Sequence, residues 1–236
     1  MADFSTHVFS AAALGSLGAT LCTKLLALPP VDGVALTLAG IAGGVLPDVD
    51  LKVSLPSRIL FALLGSIVAL AWLFAHVDTL TVLELWFAAI GVFLLVRFPI
   101  RWLFHAITVH RGALHSIAAA CMATTVTAAG ASHVLDIDPA MSWMLAAFIA
   151  CGYVLHLILD ELYSVDISGM SMKRSFGSAL KLVDRHRPTG SIGVIVVAVI
   201  AFALAPDIDP VIQLWRGAAP SWQDSIIPTW LFATRY

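Results

Sequence analysis

Long apolar runs separated by short polar breaks dominate the chain, and the breaks recur at a spacing that suits membrane crossings. A first run extends from His7 to Leu28, rich in Ala, Gly and Leu, and meets Pro29-Pro30. Small residues at this density favour close helix packing, and Lys24 near the far end can snorkel to the interface. A second run, Gly33 to Leu46, is short against the ~20 apolar residues that cross a hydrocarbon core. Gly40, Gly43 and Gly44 weaken its helical end, and it delivers Leu46-Pro47-Asp48-Val49-Asp50 to the membrane edge. Further runs cover Ile59–His76, Val82–Phe104 (stopping near Pro99-Ile100-Arg101), Ala113–Leu135, Met141–Tyr163 and Ile192–Leu204, with Pro206 after the last. The pattern predicts an all-α polytopic bundle of about seven spans, the one at 33–46 being short. Residues 1–206 form the transmembrane domain in this reading; 207–236 form a tail whose Trp215, Trp222 and Trp230 suit an interfacial segment.

Composition agrees. Of 236 residues, 60% are hydrophobic and 12% charged, with a mean hydropathy of +0.94. Soluble proteins carry roughly 25% charged residues, so a soluble globular domain is excluded. Cys22, Cys121 and Cys151 all lie in apolar runs without metal-ligand spacing and read as small buried hydrophobes. No Lys or Arg precedes the first run, so no cleaved signal is expected.

The net charge of −2 says little as a sum; its distribution says more. Lys52 and Arg58, then Arg97, Arg101 and Arg111, then Lys173, Arg174, Lys181, Arg185 and Arg187 fill three loops, while the loops around Asp78 and around Asp136-Asp138 hold no Lys or Arg. By the positive-inside rule the rich loops are cytoplasmic. Seven spans then put the N-terminus inside and the C-terminus outside.

Under that topology, metal-binding residue types converge on one edge. His7 opens span one; Asp48 and Asp50 end span two; His105, His110 and His115 lie between spans four and five; His156 and Asp160 end span six. Polar groups near lipid are costly and usually functional, and imidazole is the commonest protein ligand for transition metals. His156 and Asp160, four apart, project from one helix side; taken alone they suit the binding of one ion or a helix-terminal hydrogen-bonded pair. Asp48 and Asp50 can face one way in an extended turn, or simply be solvated there. Asp136/Asp138 and Asp207/Asp209 fall on the opposite side and read as outer turns, and His76, His133 and His186 as interfacial or loop residues. Gly112 lets the backbone turn so that His115 comes back toward His110. Arg111 is either a forked donor for phosphate or carboxylate or a positive-inside anchor. His105 and Ser116 are candidates for hydrogen-bonding partners behind the ligands.

The segments Leu46-Pro47-Asp48-Val49-Asp50, His110-Arg111-Gly112-Ala113-Leu114-His115-Ser116 and Gly152 to Asp160 together resemble the YdjM-like family of inner-membrane metal-dependent hydrolases, over roughly residues 5–205. Thr6-His7 and Arg174 to Lys181 also look like family features. The resemblance implies hydrolysis by bound metal and a distant relation to helical, zinc-binding phospholipase C and single-strand nuclease folds. By position it assigns metal binding to His7, Asp48, Asp50, His110, His115, His156 and Asp160. Ala113-Leu114 departs from the pattern, in which a hydroxyl residue often precedes the second histidine.

Four histidines and three aspartates exceed the three protein ligands typical of one catalytic zinc, so two ions fit better. The mixed donors suit zinc, with manganese or iron as alternatives. The expected chemistry is hydrolysis by water whose pKa metal lowers to about 7. Arg111, with Arg174 and Lys181, would hold an anionic substrate group, and Asp50 would act as general base. A lipid-linked or small phosphoester is the expected substrate; no nucleic-acid partner is expected. The rival readings are a metal or proton transporter and a non-catalytic scaffold with a structural metal. The clustering of polar residues at one edge, rather than along the spans, favours the enzyme.

Overall fold

The structure, a computed structural model, describes residues 3–51, 54–108, 112–166, 171–172, 180–185 and 188–217. It is helical throughout: α1 (Phe4–Leu25), α2 (Pro30–Val45), α3 (Leu55–Ala75), α4 (Val82–Leu95), α5 (Arg101–Ile107), α6 (Ile117–Leu135), α7 (Pro139–Leu162), α8 (Pro188–Leu204) and α9 (Asp209–Gly217). A two-residue antiparallel pairing of Val165–Asp166 with Ser171–Met172 is the extended structure among the described residues. Among the described residues, six helical stretches are long and apolar enough to cross a membrane, and the bent pair α8–α9 would make a seventh. The predicted polytopic bundle is therefore observed.

Two of its details change. The second span is not short: a 3-10 turn, Leu46–Asp50, continues α2 to give 21 residues from Pro30. Pro30 starts this helix instead of keeping it away, because the first helical position needs no N–H and its φ suits a helix. Pro99 does not end the fourth span either. A π-helical turn, Val96–Ile100, accommodates the missing donor, and α5 carries the helix on to Ile107. The fifth run, by contrast, becomes helical only at Ile117, leaving Ala113–Ser116 as its lead-in turn.

The chain forms two compact units, residues 1–47 with 113–236, and residues 48–112. In the first, α2 packs between α1 and α7, α7 against α6, and α6 against α8. The α2–α7 seam is made of glycine. A Cβ on Gly152 would overlap the Gly40 carbonyl, and one on Gly43 would overlap the backbone of Ile149. The glycines stay helical because backbone contact with the neighbouring helix offsets their poor propensity. At the far end of this unit, Asp136 adopts φ 53° to cap α6, and the Asp138 carboxylate accepts the Met141 N–H at the start of α7. This is the turn role expected of that pair. His133 bonds the Leu204 carbonyl there, 2.6 Å away.

The second unit is the α3–α4 hairpin with the π turn and α5. Thr81 and Glu84 form a reciprocal capping box at the start of α4, and Ala69, Leu73, Leu85 and Ala89 make the core between α3 and α4.

Candidate metal centre

Four side chains named from the sequence come together in the first unit, supplied by three separated stretches. His7 lies one turn into α1. The Asp3 carboxylate caps that helix by accepting the Thr6 N–H at 2.7 Å, and its bonds to Thr6 hold it below the usual carboxylate range. His115 sits immediately before α6. His156 and Asp160 project from the last turns of α7, on the stripe that begins with Gly152. All four are sealed from solvent, at 2%, 0%, 1% and 0% exposure respectively.

The local structure explains how each is held. Gly152 lets α2 approach α7, which brings the Gly44 carbonyl to 2.8 Å from His156 Nδ1. That carbonyl can only accept, so Nδ1 carries the proton and Nε2 keeps its lone pair for an electrophile. The His7 ring stacks on His156 at a centroid separation of 3.7 Å, and His115 meets His156 edge-on at 5.6 Å. The Tyr153 hydroxyl donates to the Leu114 carbonyl, anchoring the residue before His115. Ser116 caps α6: its Oγ accepts the Ala119 N–H at 3.2 Å and donates to the Ala113 carbonyl. The next donors, Ile117 and Ala118 N–H, bond the Lys181 and Leu182 carbonyls. Ser116→Ala should therefore cost about 1 kcal/mol through the lost cap, read as a lower thermal midpoint of the purified protein with bound metal retained.

His7 Nε2 stands 3.4 Å from Asp160 Oδ1, and His115 Nε2 stands 3.9 Å from Asp160 Oδ2. Both exceed the usual hydrogen-bond range of about 2.7–3.2 Å. The shorter one matches the separation of about 3.3–3.6 Å expected for two atoms each 2.0–2.2 Å from a tetrahedral ion. One ligand atom each from His7, His156 and Asp160 lies within 4.8 Å of the other two. His7 Nδ1 is buried with no hydrogen-bond partner among the described residues. Donor types and spacing fit a divalent cation.

The other named residues stand as follows. Asp48 and Asp50 are buried on the 3-10 turn that leaves α2, at the start of the second unit. His105 is also in the second unit, where its Nε2 lies 2.8 Å from Ser57 Oγ, to which Arg101 Nε donates at 3.0 Å. Lys181 pairs with Asp184 at 3.5 Å. His110, Arg111 and Arg174 lie outside the described residues, as do His186, Trp222 and Trp230. Sequence reasoning missed the Gly44 carbonyl and the Tyr153 hydroxyl. A signal for the first existed: Gly152 sits one turn before His156 in an apolar helix, opposite a glycine-rich span.

A multi-pass helical bundle with a buried His/Asp cluster at one end of its helices defines the class: an integral membrane protein with a candidate metal centre. The chain belongs to the YdjM inner membrane protein family, whose model matches residues 1–172. No curated protein and no solved structure matches. The expected membrane location agrees with this membership, and the apolar helices imply a lipid bilayer around them.

Proposed function

We propose that the protein is a metal-dependent hydrolase acting at the cytoplasmic edge of the inner membrane, on a phosphoester that is small or lipid-linked. One observation carries the reading: His7, His115, His156 and Asp160, distant in sequence, meet in a sealed pocket with the spacing of ligands. Asp48 follows Gly44 by four residues along a continuous helical turn, and Gly44 already touches His156. The chain's own connectivity therefore makes Asp48 and Asp50 the natural further ligands, with His110 as the seventh by the sequence pattern. Zinc best suits this donor set, and seven ligands would serve two ions.

A divalent cation bound there supplies a Lewis acid that acidifies water and polarises the phosphoryl oxygen. The residues do the rest. The Gly44 carbonyl fixes the His156 tautomer, and Asp160 offers one oxygen to each of two imidazoles. Asp50, through a carboxylate oxygen not engaged by metal, accepts the proton of the attacking water. Arg111, helped by Arg174 and Lys181, neutralises the substrate phosphate and sets its orientation.

The test is elemental analysis of detergent-purified protein, followed by turnover of bis-(p-nitrophenyl) phosphate and phosphatidic acid with and without chelator. Expected are one to two equivalents of zinc, manganese or iron and a chelator-sensitive hydrolysis. Protein free of divalent metal and unable to bind it would sink the proposal. The near-complete burial of the four residues favours a second reading, in which the metal only ties α1, α6 and α7 together. Stoichiometric metal with no exchangeable ligand position and no turnover would select it.

A further inference from the structure

The second unit holds a basic pocket that the hydrolase reading does not use. Arg97 and Arg101 sit one turn apart across the π turn at the end of the fourth span, and Arg58 lies in the first turn of α3. Arg97, Phe98, Pro99, Arg101, Trp102 and His105 line a cavity of about 670 Å³.

Three features show that this is more than a set of positive-inside anchors. Arg97 Nη1 is buried, yet has no hydrogen-bond partner among the described residues. A buried guanidinium nitrogen left in that state is costly, and an anion is the usual remedy. Secondly, Arg101 is oriented from behind. Its Nε donates to Ser57 Oγ at 3.0 Å, and Ser57 is held in turn by buried His105 at 2.8 Å. Such a locked side chain loses little entropy on binding a ligand. Thirdly, the rim is apolar and outward-facing: Phe98 is 59% and Trp102 72% exposed. The Arg97 guanidinium lies 5.5 Å from the Phe98 ring centroid. A fully solvated anion would gain nothing from such a rim, whereas an amphiphile would lay its acyl chains along it while its headgroup enters the pocket.

We propose that Arg97 and Arg101 bind the phosphate of an anionic membrane lipid, with Phe98 and Trp102 flanking the glycerol and acyl region. The planar fork of arginine suits phosphate oxygens, and the four-residue spacing of Arg97 and Arg101 brings both to one pocket. This site stands independently of the metal centre and of any hydrolysis there.

The experiment uses delipidated full-length protein in mixed micelles, titrated with fluorescent phosphatidylglycerol and, separately, with fluorescent phosphatidylcholine. Wild type should prefer phosphatidylglycerol. Arg97→Gln should weaken that binding about tenfold, the loss expected for one charge-assisted hydrogen bond. Arg216→Gln, on an exposed position of α9, should change nothing. Arg97→Lys should recover only part of the affinity, since a point charge replaces the fork. Unaltered phosphatidylglycerol binding by Arg97→Gln would overturn the site. If Arg97→Gln does not elute as folded protein, Arg97→Lys decides: full wild-type affinity there would overturn it. Displacement of the lipid by millimolar inorganic phosphate would give the pocket to a soluble anion and overturn the lipid assignment.

Discussion

Asp160→Asn is expected to strip the buried centre of its metal, reducing bound divalent ion from stoichiometric to near background and abolishing turnover. The replacement keeps the shape but halves the donor set. One amide oxygen can still face His7 or His115, and the amide nitrogen must face the other with its hydrogens. It also removes the negative charge that would hold a dication in a pocket otherwise lined by imidazoles. Stability should report the same loss by an independent route. If wild type binds metal at a hundredfold above its Kd, the ion contributes about 2.7 kcal/mol to folding. Chelator should then lower the thermal midpoint of wild type and leave Asp160→Asn unmoved. The comparison separates a ligand from a residue that merely packs, because a packing defect lowers both midpoints yet preserves the chelator response. Full metal content with an unchanged chelator response would remove Asp160 from the site.

That four of the seven predicted ligands can be described together reflects what a membrane sequence exposes to inspection. Hydropathy divides the chain into spans, and Lys/Arg asymmetry sorts their ends into two groups. His7, His115, His156 and Asp160 fall in one group without any reference to their chemistry. The four-residue spacing of His156 and Asp160 supplies the shared face. What hydropathy does not encode is how close two spans may come. Gly40, Gly43 and Gly44 look like helix weakeners when read along the chain, but in the fold they are the surface on which α7 rests. Pro30 and Pro99 mislead for different reasons: the first helical position needs no N–H, whereas at Pro99 a π turn absorbs the missing donor and the helix continues. Lys181 also contributes through its backbone, its carbonyl accepting the Ile117 N–H at the head of α6. Backbone roles of this kind leave no mark on side-chain identity.

Gly152→Ala should be among the most damaging single-methyl additions in the protein, although alanine is the better helix former. The added Cβ would fall on the Gly40 carbonyl and against the Gly44 amide, both backbone atoms of α2 that cannot rotate away. Relief requires the α2 and α7 axes to separate, and overpacking that moves backbone costs about 3 kcal/mol or more. Separation would also draw the Gly44 carbonyl away from His156 Nδ1, freeing the imidazole to change tautomer or turn. Loss of such a buttressing bond typically weakens metal binding about 10- to 100-fold. The two effects should therefore travel together, a lower midpoint and weaker metal affinity from a residue that touches no metal. Gly130→Ala provides the internal comparison, since a Cβ at that position of α6 meets nothing within 4 Å. There only the propensity difference acts, and the variant should gain about 0.5–1 kcal/mol. Opposite signs from the same chemical change, measured as midpoints in one detergent, would establish that glycine in the α2–α7 seam is required for approach and not merely tolerated. A Gly152→Ala protein with native midpoint and native metal affinity would show that the seam does not hold the metal centre in place.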